Sequence, residues 1–123
     1  MPIVYIALGS ALGGVARYLL SKIVTDNVSG LFPWGTFLVN IVGCLLIGLI
    51  YGLLDKGFEL NENMRLFLTV GFCGGFTTFS TFAHENFILF QSNNLLTFAS
   101  YASLSLFVGL LMAYLGHALV KLF

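Results

Sequence analysis

Apolar residues dominate four stretches of this 123-residue chain, at 3–24, 34–54, 64–90 and 95–121. Polar residues gather between them, at 25–33, 55–63 and 91–94. A helix rises about 1.5 Å per residue, so each apolar stretch can cross a hydrocarbon core about 30 Å thick. The pattern predicts an all-α membrane protein: four transmembrane helices forming a single transmembrane domain over residues 1–123. The first connection holds Asn27, Ser29, Gly30 and Pro33. Trp34 follows, a residue suited to the headgroup level where the second crossing starts.

The third stretch departs from the pattern. It contains Gly71-Phe72-Cys73-Gly74-Gly75-Phe76-Thr77-Thr78-Phe79-Ser80-Thr81-Phe82. The middle of this run, residues 74–78, is poor helix interior. Glycine costs about 1 kcal/mol against alanine there, and threonine is stiff at χ1. The sequence therefore predicts a third helix broken near the membrane midplane. In lipid, loosened backbone is tolerated only where protein or water satisfies its polar groups. Phe79 and Phe82 are three apart and share a face of the helix that resumes. Two readings stand here: an ion-handling site, or a small-residue surface for packing another helix.

Polar residues inside the other crossings sharpen the choice. Asn40 lies about two turns into the second helix, where an unpaired amide is costly. It serves either an interhelical hydrogen bond or an anion that needs an N–H donor. In the fourth crossing, Tyr101, Ser105 and Gly109 recur every four residues, placing phenol, hydroxyl and glycine on one face. That face is either a polar track or a groove for another helix. Gly9 with Gly13, and Gly48 with Gly52, are small-xxx-small pairs for close helix approach. Arg17 sits deeper than interfacial anchoring requires. It either braces another helix end or snorkels, or sets a positive potential for an anion, while Lys22 lies nearer the edge. Glu85 is the one acid inside a predicted crossing, an interfacial group or a proton-coupling carboxylate. His84 reads as interfacial.

Composition settles the class. The chain is 59% hydrophobic and 8% charged, against roughly 25% charged in soluble domains, and its mean hydropathy is +0.99. No basic segment precedes the first apolar run, so no cleavable signal is expected. Cys44 and Cys73 both lie in apolar stretches, which argues against a structural disulfide, and neither is spaced with His84 or His117 as a metal site. The formal net charge is +0, so no charged surface recruits nucleic acid. No nucleophile–base pair or phosphate-binding loop is present, and no enzymatic activity is expected.

Charge also bears on topology. Four crossings place Lys56, Arg65 and Lys121 on one side and Arg17 and Lys22 on the other, almost no positive-inside bias. A chain with so little bias can insert both ways and pair as an antiparallel homodimer about a two-fold axis in the membrane plane. The broken third helices would then meet near that axis. Carbonyls freed in unwound membrane helices coordinate small cations.

Three motifs resemble the small dual-topology fluoride channels known as Fluc or CrcB: Gly13-Gly14-x-x-Arg17-Tyr18, Gly35-Thr36-Phe37-x-Val39-Asn40-x-x-Gly43, and the 71–82 run. The likeness covers essentially the whole chain, and the third motif carries most of its weight. It implies an antiparallel homodimer in the lipid bilayer with two separate fluoride pathways. It implies a structural Na⁺ at the dimer centre, held by the main-chain carbonyls of Gly74 and Thr77 from both subunits. It places the family's pore asparagine on Asn40 and its pore phenylalanines on Phe79 and Phe82. Thr81, Tyr101 and Ser105 fall in the polar pathway, and Glu85 at a pore mouth. The implied activity is passive export of toxic cytoplasmic fluoride across the plasma membrane, a bacterial inner membrane by expectation. The other expectation kept in view is a small multidrug-type, proton-coupled cation exporter. That mechanism needs a membrane-embedded carboxylate, for which Glu85 is the candidate.

Overall fold

The computed structural model describes residues 1–28 and 30–122; Ser29, expected in the first connection, lies outside the described residues. Helix α1 spans Pro2–Asn27 and starts on proline, whose fixed φ and missing N–H suit a first turn. It continues through residues 25–27, which the polarity pattern assigned to the connection. Helix α2 is Trp34–Asp55. Helix α3, Glu62–Leu66, is capped by Asn61, whose Oδ1 accepts from Met64 N at 2.8 Å. A π-helical segment, Phe67–Cys73, follows without interruption, then one helical turn, α4, at Gly74–Phe76. The chain becomes extended at Thr77 (φ −85°, ψ 157°) and helix resumes as α5, Ser80–Gln91. Helix α6 is Leu95–Lys121.

Among the described residues, four segments are long and apolar enough to cross a membrane: α1, α2, the broken run Glu62–Gln91, and α6. With no strand among the described residues, the molecule is an all-α, multi-pass membrane protein. The break lies later than the glycines suggested. Gly74 and Gly75 are still helical, and the departure occurs at Thr77. What Gly75 supplies is proximity to α1: a Cβ there would stand 2.7 Å from the Ser10 carbonyl oxygen. The π segment was not expected. It adds residues to the turn just before the break, a common feature of functional sites in helices.

Two helix pairs make the body of the fold. α2 packs along α6, and α1 packs along the π segment and α4. Both seams are backbone-close. Cβ atoms at Gly9 and Gly13 would collide with the Phe67 and Phe72 carbonyls, and one at Gly48 with the Ala113 carbonyl. These glycine pairs therefore act as packing faces, as small residues do between membrane helices. Leu8, Leu12 and Val15 of α1 and Phe107 and Leu110 of α6 stay exposed on the outer surface. In a bilayer such side chains face lipid tails.

Candidate functional site

The two pairs enclose the break. Asn40, on α2, points at the unwound backbone. Its Nδ2 donates to the Thr78 carbonyl at 3.1 Å, and the Thr78 N–H donates back to its Oδ1 at 2.9 Å. One amide thus replaces both backbone partners that Thr78 lost when the helix stopped. From the other side Arg17, half-buried on α1, donates through Nε to the Gly75 carbonyl at 3.2 Å. Of the readings open for Arg17, this contact is the bracing one.

Thr78 also starts the next helix. Its Oγ1 accepts from Thr81 N at 3.3 Å and donates to Thr81 Oγ1 at the same separation. That is side-chain capping of the orphan N–H groups at a helix start. Thr77 bonds backwards, its Oγ1 donating to the Cys73 carbonyl at 2.9 Å, while its N–H donates to the same carbonyl at 3.0 Å. Among the described residues, no hydrogen bond outside the helices ends on the Gly74 or Thr77 carbonyl. Main-chain oxygens without donors are what a hard cation such as Na⁺ requires. These two carbonyls therefore fit the cation implied by the motif. Among the described residues no His, Cys, Asp and Glu side chains gather as a metal cluster.

Beside the break opens a cavity of about 480 Å³. Asn40, Phe79, Phe82 and Ser105 line it, together with Gly74 and Thr77. Six of the residues singled out by sequence thus share one space. The Ser105 Oγ is buried without a hydrogen-bond partner among the described residues, leaving its O–H free to donate. Phe79 and Phe82 stand with ring centroids 5.8 Å apart, tilted by 45°. Phe79 lies in the unwound linker rather than on the resumed helix, and is 78% exposed.

Thr81, Tyr101 and Glu85 are not among the residues that line the cavity. Tyr101 is fully buried, its ring 5.0 Å from Phe82 and 5.3 Å from Phe32. Its hydroxyl donates to Glu85 Oε1 at 3.0 Å. The Tyr101–Ser105–Gly109 face divides its work accordingly: aromatic packing at Tyr101, cavity at Ser105, and contact with Cys44 at Gly109. His84 is exposed.

Sequence reasoning assigned no role to Thr78, or to Cys44, Ile47 and Thr69, which also line the cavity. A signal existed for part of this set. Asn40, Gly43, Cys44 and Ile47 fall at helical spacing on one face of α2, so an inward Asn40 carries the others with it.

The chain matches the family model described as CrcB-like protein, Camphor Resistance (CrcB), over residues 4–117. It is 47% identical to a "Fluoride-specific ion channel FluC" of Flavobacterium psychrophilum over 119 residues, covering 97% of this chain and 96% of that protein. It is 45% identical to the protein of the same name from Bacteroides fragilis over 124 residues, covering 98% and 97%. A third, from Gloeothece citriformis, is 41% identical over 121 residues, covering 98% of each chain. Matched over nearly its full length by the family model and by these relatives, the chain belongs to the CrcB family.

Proposed function

We propose that the protein is a fluoride-selective passive channel that works as an antiparallel homodimer with one pathway beside each broken third helix. Its role is to let toxic cytoplasmic fluoride leave the cell. The observation that carries this reading is the cavity at the break, where Asn40, Ser105 and two phenyl rings meet in a chain of this family. Relatives similar over nearly the whole chain bear the name fluoride-specific ion channel.

The chemistry suits a small, strongly hydrated anion. Leaving water, fluoride needs close donors. Asn40 has a second Nδ2 hydrogen beyond the one spent on Thr78, and Ser105 has a free hydroxyl hydrogen. Phenyl rings carry a positive edge, so Phe79 and Phe82 can meet the ion edge-on. Neither lysine nor arginine lines the cavity. A fixed positive charge there would hold the anion too long for conduction. Thr81, Tyr101 and Glu85 would extend the route beyond this chamber, with Glu85 at its mouth. Na⁺ held by the Gly74 and Thr77 carbonyls of two subunits would join the dimer and raise the positive potential at its centre. The residues around the break do the rest: they hold those carbonyls and the Asn40 amide in place.

The test is efflux from liposomes holding purified protein, with valinomycin supplying K⁺ counterflow. Rapid fluoride loss that depends on valinomycin, without comparable chloride loss, is expected. Folded dimers that pass no fluoride, with or without Na⁺, would refute the reading.

A further inference from the structure

Carbonyls at the break meet different fates. Cys73 O accepts from Thr77 twice, through N–H and Oγ1. Gly75 O accepts from Arg17 Nε. Thr78 O accepts from Asn40 Nδ2. Gly74 O and Thr77 O, interleaved with these, receive none of those bonds. Gly74 O is thus flanked by two carbonyls, Cys73 O and Gly75 O, that donors in fixed places have removed from competition.

We infer that Arg17 is the positioning residue for the cation carbonyls: by fixing Gly75 O, it sets the direction in which its neighbour Gly74 O faces. The inference rests on the reading of Gly74 and Thr77 as a Na⁺ site. Gly74 and Gly75 share one helical turn, whose φ and ψ hold one planar peptide unit at a set angle to the next, so tethering Gly75 O also holds the direction of Gly74 O. The donor is a guanidinium, whose charge makes its hydrogen bonds about twice as strong as neutral ones. Its stem leaves α1 beside Gly13, which lets α1 lie against the Phe72 backbone. The tether is thus anchored on a backbone-close seam. Arg17 also brings a positive charge toward a cation site, an effect of opposite sign. Two variants separate the effects. Arg17→Lys keeps the charge and loses the planar Nε–H donor. Arg17→Gln loses the charge as well.

The experiment measures thermal unfolding of purified dimer in detergent against Na⁺, with N-methylglucamine keeping ionic strength constant. Wild type should gain stability as Na⁺ rises. Both variants should need about tenfold more Na⁺ for half the gain, the loss expected from one charge-assisted hydrogen bond. A bond of only structural value would lower the melting temperature equally at all Na⁺ concentrations and leave the half-maximal Na⁺ unmoved; that outcome overturns the inference. An Arg17→Gln variant that binds Na⁺ more tightly, with Arg17→Lys unchanged, overturns it in favour of charge repulsion. Wild type that does not respond to Na⁺ removes the cation site itself, and the inference with it. If Arg17→Gln yields no folded dimer, Arg17→Lys alone decides between a shifted and an unshifted Na⁺ midpoint.

Discussion

Asn40 and the backbone of Thr78 exchange two hydrogen bonds, 2.9 and 3.1 Å long, across 38 residues of sequence. The side chain of one helix thereby completes the main chain of another. Asn40→Asp keeps the acceptor for Thr78 N–H and sets a carboxylate oxygen against the Thr78 carbonyl. We expect fluoride flux to fall severely and the melting temperature to drop, by a cost of about 1–3 kcal/mol for an unsatisfied buried group. Stopped-flow efflux and thermal unfolding of the same preparation check both. Normal flux would remove Asn40 from the pathway.

The two cavity phenylalanines should separate in stability while agreeing in function. Phe79 is mostly exposed in the single chain, whereas Phe82 packs on the buried Tyr101 ring. Phe79→Ile and Phe82→Ile should each slow fluoride flux with the dimer intact. Phe82→Ile should also cost about 1 kcal/mol from its lost aromatic pair. Wild-type flux in both variants would rule out ring edges as anion contacts.

Adjacent glycines in α1 offer a sharp contrast. A Cβ on Gly13 would collide with the Phe72 carbonyl, while a Cβ on Gly14 meets nothing within 4 Å. Gly13→Ala should destabilise by about 1–3 kcal/mol or prevent assembly, as overpacking does. Gly14→Ala should be neutral or slightly stabilising, since alanine is the better helix former. Dimer yield and melting temperature distinguish them. Equal behaviour would show that the α1 seam is looser than its contacts imply.

Thr77 presents its hydroxyl to the Cys73 carbonyl and leaves its own carbonyl free of such bonds. Thr77→Val should therefore cost only about 0.5–1.5 kcal/mol, one neutral hydrogen bond. The Na⁺ dependence of unfolding should survive, because the main chain is unchanged. Its disappearance would mean that the side chain itself is a ligand.

The crossings were legible because apolar runs of this length have few other uses, and the coming break was legible in the Gly-Gly-Phe-Thr-Thr string. Its position was not, because glycine permits a break without imposing one. Gly75 stays helical to let α1 approach, and the chain departs where Thr77 and Thr78 find side-chain partners. The π segment left no mark in a run of ordinary helix-compatible residues, Phe67–Cys73. Asn40, Phe79, Phe82 and Ser105 were readable as residues that need an explanation in an apolar setting. Their convergence was not, since it depends on α2, α5 and α6 meeting. The partner of Arg17 is a backbone atom 58 residues away, and any carbonyl would have looked the same in the sequence.

The interruption at Thr77 has an electrical consequence. An unbroken helix keeps its polar ends at the two faces of the membrane, some 30 Å or more apart. Stopping at Phe76 and starting again at Ser80 brings two such ends into the interior. The first half ends there in outward-facing oxygens, a partial negative charge, and α5 begins there with outward-facing N–H groups, a partial positive one. Within a few residues the chain thus sets a partial negative charge beside a partial positive one, and the peptide dipoles supply both.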